Sequence, residues 1–285
     1  MKSQPELVEA LYLDLLKKSL TDYLHVDDPI ANAMPVDLAM PKGRRKEWRN
    51  RTIVKLLARL NMFAVKGDGR SPEDRRAMRE RGLDWPPRAV TMVGLKRLDN
   101  LQNCIETVIA ENVPGDLLEA GAWRGGASIL MRAVLKIHAE TARTVWVCDS
   151  FAGLPSPDAS QYPADAGDRH NTFPFLVATE KEVRDNFAAY GMLDDQVRIV
   201  KGLFKDTLPS LPVQSLAVLR IDGDMYESTW NALEALYDKV PAGGFVIVDD
   251  YGLAPCAQAV DEFRASRSIA PALRQIDDTG VFWRV

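Results

Sequence analysis

Three cysteines in 285 residues, Cys104, Cys148 and Cys256, are few, odd in number and share no CxxC spacing. A disulfide scaffold is thereby excluded, and buried free thiols in a reducing cytoplasm are expected. No apolar run approaches the length of a bilayer span, and no basic segment followed by an apolar one opens the chain. A membrane-spanning or secreted protein is not expected. Charge of one sign is also lacking, because 36 basic and 40 acidic residues leave a net charge of -4. That balance offers no field to gather nucleic acid or an anionic membrane surface. Internal repeats and low-complexity segments are missing too. What remains is a globular chain whose 46% hydrophobic content suffices for a sizeable core.

The texture changes near residue 115. Before that point the periods are helical, as in "LVEALYLDLLKKSL", which sets Leu7, Leu11 and Leu15 on one face. A basic stretch from Lys42 to Arg59 reads as a solvated helix face rather than a phosphate or nucleic-acid patch. "GDGRSPEDRR" (67–76) reads as a loop. From residue 116 onward short apolar strands alternate with helical periods. The strands are "DLLEAG" (116–121), "TVWVCD" (144–149), "QVRIVKG" (196–202), "LAVLRID" (216–222) and "GGFVIVDD" (243–250). "SILMRAVLKIHAE", "EKEVRDNFAAYG", "MYESTWNALEALYDKV" and "PCAQAVDEFRAS" supply the helices. The tail "LRQIDDTGVFWRV" reads as a hairpin around Asp278, Thr279 and Gly280. An α/β fold follows: a mostly parallel, doubly wound sheet closed by a C-terminal antiparallel hairpin. Such sheets bind ligands beyond the carboxyl ends of their strands.

The strand ends therefore carry the functional reading. The first ends "EAGAWRGGAS", with Glu119 and Gly121 followed by Gly125 and Gly126 entering a helix. Glycines there admit a ligand to the backbone, and the helix start offers unpaired N–H groups. The pattern is not GxGxxG, so a pyrophosphate is disfavoured. Asp149 ends the second strand, beyond the ~20-residue spacing of a dinucleotide site, where an acid can hold a ribose diol or cap a helix. Phe204 follows the third strand and can stack near an adenine or simply pack. If the fourth and fifth strands are neighbours, Asp222, Asp249 and Asp250 emerge together. Like charges so close are costly unless a cation neutralises them, and oxygen-only ligands point to Mg²⁺. Isolated acids at strand ends also cap helices and form turns.

The motifs "DLLEAGAWRGGASILMRAVL", "VWVCDSFAGLP", "VKGLFKDTLP" and "LRIDGDMYESTWNALEALYDKVPAGGFVIVDDYG" resemble the macrocin O-methyltransferase family, S-adenosylmethionine enzymes that methylate sugar hydroxyls on natural products. The likeness runs from about Thr91 to Val285. It implies a Rossmann-like methyltransferase domain over 91–285, preceded by a helical N-terminal extension over 1–90, in a cytoplasmic homodimer that needs Mg²⁺. It implies Asp222, Asp249 and Asp250 as metal ligands and Asp224, or else Asp222, as general base. It places Glu119, Gly121, Ser128, Asp149 and Ser150 in the cofactor pocket. "TMVGLKRLDNLQ" (91–102) matches the segment that closes over the cofactor, with Met92 as its contact.

The chemistry can be assembled from these parts. A sugar hydroxyl has too high a pKa to attack a sulfonium methyl unaided, so a dication that acidifies and aligns it is useful. A carboxylate then removes the proton, and Asp224 is favoured because a group already donating to the metal is the weaker base. The expected acceptor is a glycoside or polyol. A catechol-type O-methyltransferase and a non-catalytic cofactor-binding scaffold are the alternatives. His170, in the polar stretch 156–174, reads as part of a mobile lid more than as a base. Trp123, Phe151, Tyr226 and Trp230 are candidates for a pocket floor, with core packing as the competing role for Trp230.

Overall fold

A computed structural model describes residues 4–28, 34–35, 65–66, 69–84 and 86–285. Its centre is a seven-stranded sheet built from β1 (Asp116–Ala120), β2 (Val145–Asp149), β3 (Val197–Lys201), β4 (Leu216–Ile221), β5 (Phe245–Val248), β6 (Arg274–Gln275) and β7 (Val281–Arg284). The spatial order is β3-β2-β1-β4-β5-β7-β6. Strands β1 to β5 pair in parallel, and β7 pairs antiparallel with both β5 and β6. All six positions of β4 and all four of β5 are buried, as strands covered by helices on both faces must be. The hairpin expected at the C-terminus is present.

Eight α-helices accompany the sheet among the described residues: α1 (Gln4–Leu20), α2 (Pro72–Arg81), α3 (Leu95–Ala110), α4 (Gly126–Ile137), α5 (Glu180–Ala189), α6 (Phe204–Thr207), α7 (Tyr226–Leu236) and α8 (Ala254–Ser266). One apolar cluster gathers Leu98 and Ile105 of α3, Ile129 and Val134 of α4, and Leu13, Leu16 and Leu20 of α1. A second gathers Leu233 and Leu236 of α7 with Val260 and Phe263 of α8. The three cysteines are free and buried. No described helix is long and apolar enough to cross a membrane.

Two sequence expectations change in the N-terminal part. The loop expected over 67–76 gives way to α2 from Pro72 onward. Ser71 caps it by accepting from the Asp74 N–H at 3.1 Å, proline opens the first turn, and Gly82 closes it at a φ of 68°. These signals outweigh the segment's shortage of apolar residues. In α1 the face of Leu7, Leu11 and Leu15 is the outer one, while Leu13, Leu16 and Leu20 pack inward. The basic stretch Lys42 to Arg59 lies outside the described residues. A two-residue antiparallel ladder joins Met34–Pro35 to Val65–Lys66.

From β1 the chain winds outward through β2 and β3, and from β4 it winds the other way. The crevice where these directions diverge, at the carboxyl ends of β1 and β4, is where ligands bind in open α/β sheets.

Candidate active site

Gly121 makes that crevice possible. It leaves β1 with a φ of 94°, and a Cβ there would collide with the carbonyl oxygen of Asp222. The Gly121 N–H donates to Cys148 O and the Asp222 N–H donates to Ala120 O, each at 2.8 Å, fastening three strand ends together. Above them opens a cleft. Six of the expected cofactor residues line it: Met92, Glu119, Gly121, Asp149, Ser150 and Phe204. Ser128 stands behind, fully buried in α4, and donates its hydroxyl to Glu119. Gly125 and Gly126 do not line the cleft. A Cβ on the first would press on Val183 and Phe187, and one on the second on Val90 and Thr91, so packing of chain on chain explains both.

Asp149 is held by backbone. One carboxylate oxygen accepts from the Ala122 N–H at 2.8 Å and the Trp123 N–H at 3.1 Å, and the other from the Phe151 N–H at 2.7 Å. Burial raises its pKa, and these three amides oppose the rise. The acid thus shapes the turn after β1 from the end of β2.

The second group is different. Asp222, Asp224 and Asp250 bring carboxylate oxygens within 4.8 Å of one another. Parallel pairing of β4 with β5 sets Asp222 beside the start of the 249–250 turn, as expected from their being neighbours. Asp224 adopts a left-handed φ of 55° and donates its backbone N–H to Asp250 at 3.0 Å. Burial, then repulsion from Asp222, pushes the Asp224 carboxyl up to about 7. Asp250 is raised well above the carboxylate range by burial and by Asp224 and Asp222, and Asp222 is raised by burial and Asp249. Three crowded carboxyls with oxygen donors only, and no histidine or thiol among them, suit a hard divalent cation.

Asp249 stands apart from that trio. It is 2% exposed and lies between two arginines, paired with Arg97 and 2.7 Å from Arg220. Its Oδ1 meets Arg220 by charge alone, without an aligned hydrogen bond. Arg220 also pairs with Glu119 and reaches Asp222 at 2.9 Å. Burial works against its charge, yet Asp249, Asp222 and Glu119 hold its pKa above the usual arginine value. Glu119 is lifted to about 7 by burial, with Arg220 and Ser128 pulling it down. Arg97 binds Asp277 at 2.7 Å and Thr279 as well, tying the C-terminal hairpin to this network.

Of the aromatic candidates only Trp123 lines the cleft. Phe151 is buried in the apolar core, and Trp230 stacks on Tyr226 and abuts Phe263. His138 faces Glu106 at 3.6 Å, away from the cleft lining. His170 is bonded to Asp168 at 2.6 Å. Sequence reading missed Arg220, although an arginine within the apolar run "LAVLRID" was a signal for a buried charge partner.

Strand order and switch-point cleft define a Rossmann-like fold, and the solved methyltransferase it matches makes this a methyltransferase fold, a class that implies S-adenosylmethionine as the donor. The profile of the family described as Macrocin-O-methyltransferase (TylF) matches residues 9–285. A tetracenomycin-C 4'-O-methyltransferase of Streptomyces olivaceus, named for a dimethoxy-rhamnosyl tetracenomycin, is 48% identical over 96% of this chain and 92% of its own. The mycinamicin III 3''-O-methyltransferase of Micromonospora griseorubida is 46% identical over 96% of each chain. The solved structure of the O-methyltransferase NovP superposes with a TM-score of 0.78 at 44% identity, covering 97% of this chain and 98% of that one. The calicheamicin methyltransferase CalS11, 18% identical with a TM-score of 0.53 over 86% of this chain and 94% of its own, shares the fold. The chain belongs to the macrocin O-methyltransferase family and is an O-methyltransferase of natural-product biosynthesis.

Proposed function

We propose that the protein transfers a methyl group from S-adenosylmethionine to a hydroxyl of a sugar on a natural-product glycoside, with Mg²⁺ bound at the strand-end acids. The observation that carries this reading is the convergence of Asp222, Asp224 and Asp250 within 4.8 Å beside the cleft. Relatives named for a rhamnosyl tetracenomycin and for mycinamicin III support the acceptor class.

Each side chain has a defined task. Met92, Gly121, Ser150 and Phe204 enclose the donor, and Asp149 offers its remaining lone pairs to the ribose hydroxyls. Glu119, fixed by Arg220 and Ser128, closes the floor of the cleft. Asp222 and Asp250 hold the cation, with Asp249 or Asp224 as the third carboxylate. When bound, the ion acidifies and orients the acceptor hydroxyl. With Asp249 as that third ligand, Asp224 is the carboxylate left to take the proton, since it does not then donate to the ion. Residues 1–90 contribute the acceptor side and a homodimer contact, and the outward Leu7, Leu11 and Leu15 support the latter.

Enzyme stripped with EDTA and assayed with S-adenosylmethionine against a panel of glycosides and catechols tests the reading. Glycoside methylation restored by Mg²⁺ is expected. Activity on catechols alone assigns the aromatic alternative, and full glycoside activity in EDTA removes the metal.

A further inference from the structure

The loop between β2 and α5, residues 150–179, borders the cleft, and both its ends line it, through Gly153, Leu154 and Pro155 on one side and Leu176 on the other. Its middle is anchored in an unusual place. Asp165 is fully buried, and its two carboxylate oxygens accept from the Tyr226 N–H at 2.7 Å and the Glu227 N–H at 2.9 Å. These are the first amides of α7, which begins just after the Asp222 to Asp224 turn. That helix has no cap of its own, because Met225 at the cap position makes no side-chain hydrogen bond. The cap arrives instead from a residue 61 positions upstream.

We infer that Asp165 is a positioning residue: its carboxylate latches the 150–179 loop onto the start of α7, so that closing the cleft and fixing the Asp222 to Asp224 turn are one event. A serine or aspartate at 225 would cap the helix locally through the amide of Glu227 or Ser228. What the distant cap adds is the tie between loop and helix. Without it the Glu227 amide is buried unpaired, and the negative charge at the helix start is lost. The same tie brings Asp168 and its partner His170 toward Asp224, and sets the Tyr162 ring tilted against Tyr226 with ring centres 5.9 Å apart. A second fastening, from Trp123 Nε1 to Phe175 O at 2.9 Å, holds the loop's far end to the turn after β1.

This inference rests on the cleft being the site of methyl transfer. Hydrogen-exchange mass spectrometry with and without S-adenosylmethionine, on wild type, Asp165→Ala and the milder Asp165→Asn, separates the two ideas. Exchange of the 150–179 loop and of the first turn of α7 is expected to rise together by at least about tenfold in Asp165→Ala, and less in Asp165→Asn, while β1, β4 and β5 stay protected. Turnover should fall about 10- to 100-fold with cofactor affinity within about threefold of wild type. Faster exchange confined to α7, with the loop and turnover unchanged, makes Asp165 a plain cap and overturns the latch. If Asp165→Ala does not fold, Asp165→Asn decides by the same readouts. Donor-induced protection that spares Met92, Gly121, Ser150 and Phe204 alike overturns the placement of methyl transfer in the cleft and leaves the latch to be judged by the exchange of loop and helix alone.

Discussion

At the end of β2, Asp149 divides its oxygens among the amides of Ala122, Trp123 and Phe151. At the ends of β4 and β5, Asp222, Asp224 and Asp250 crowd together and receive one backbone N–H, that of Asp224, and one guanidinium contact from Arg220. The residue type and the position on the sheet are alike, but the supply of donors is not. An acid surrounded by amides has its charge met by the chain and needs no ion, while its spare lone pairs stay open to a ligand. Acids that face each other need a proton or a cation, and for that reason the chemistry is proposed for the second site.

The contrast is best broken by removing the acid that has the most to lose. Asp222→Asn should lower kcat/KM by on the order of 10³ or more and abolish Mg²⁺ dependence, measured by methyl transfer across a metal titration. Gly121→Ala strikes the junction between the two sites. Forcing a Cβ into Asp222's carbonyl at positive φ should cost about 3 kcal/mol, seen as a Tm lower by roughly 5–12 °C.

The pH dependence of stability sharpens the comparison. Asp224 is raised to about 7, so between roughly pH 4 and 7 the folded state holds this proton and the unfolded state does not. Folding is then favoured at the acid end of that window, and the stabilisation is lost as pH rises through 7. Metal-free enzyme should gain on the order of 1–3 kcal/mol at pH 5.5 relative to pH 8 from this group. Mg²⁺ at pH 8 should restore it, and Asp224→Asn should reduce the difference, with Glu119 and Asp250 keeping the remainder; thermal melts check all three. Asp149→Asn gives the smallest effect, about tenfold in cofactor affinity by calorimetry, because two of its three amides keep a usable acceptor.

Much of this was legible beforehand. Strand runs such as "LAVLRI" and "FVIV" announced a buried parallel sheet, and the hairpin at Asp278 to Gly280 declared itself by its turn residues. Strand adjacency placed Asp222 and Asp250 together. The partition within "VDDYG" was not legible, since which of two consecutive aspartates meets an arginine depends on Arg97 and Arg220 reaching it from α3 and β4. The trans cap by Asp165 was equally hidden, because nothing local marks a carboxylate destined for a helix 61 residues away. The helix at Pro72 was hidden differently: its cap signals were present, but a run so rich in charge suggested a loop.

Calorimetric titration of Mg²⁺ into metal-free wild type, Asp224→Asn and Asp249→Asn tests the central claim, that strand-end carboxyls hold one divalent ion. One site per chain in the wild type is predicted, weakened in whichever variant lacks the third ligand. No binding to the wild type, or three identical isotherms, would contradict it.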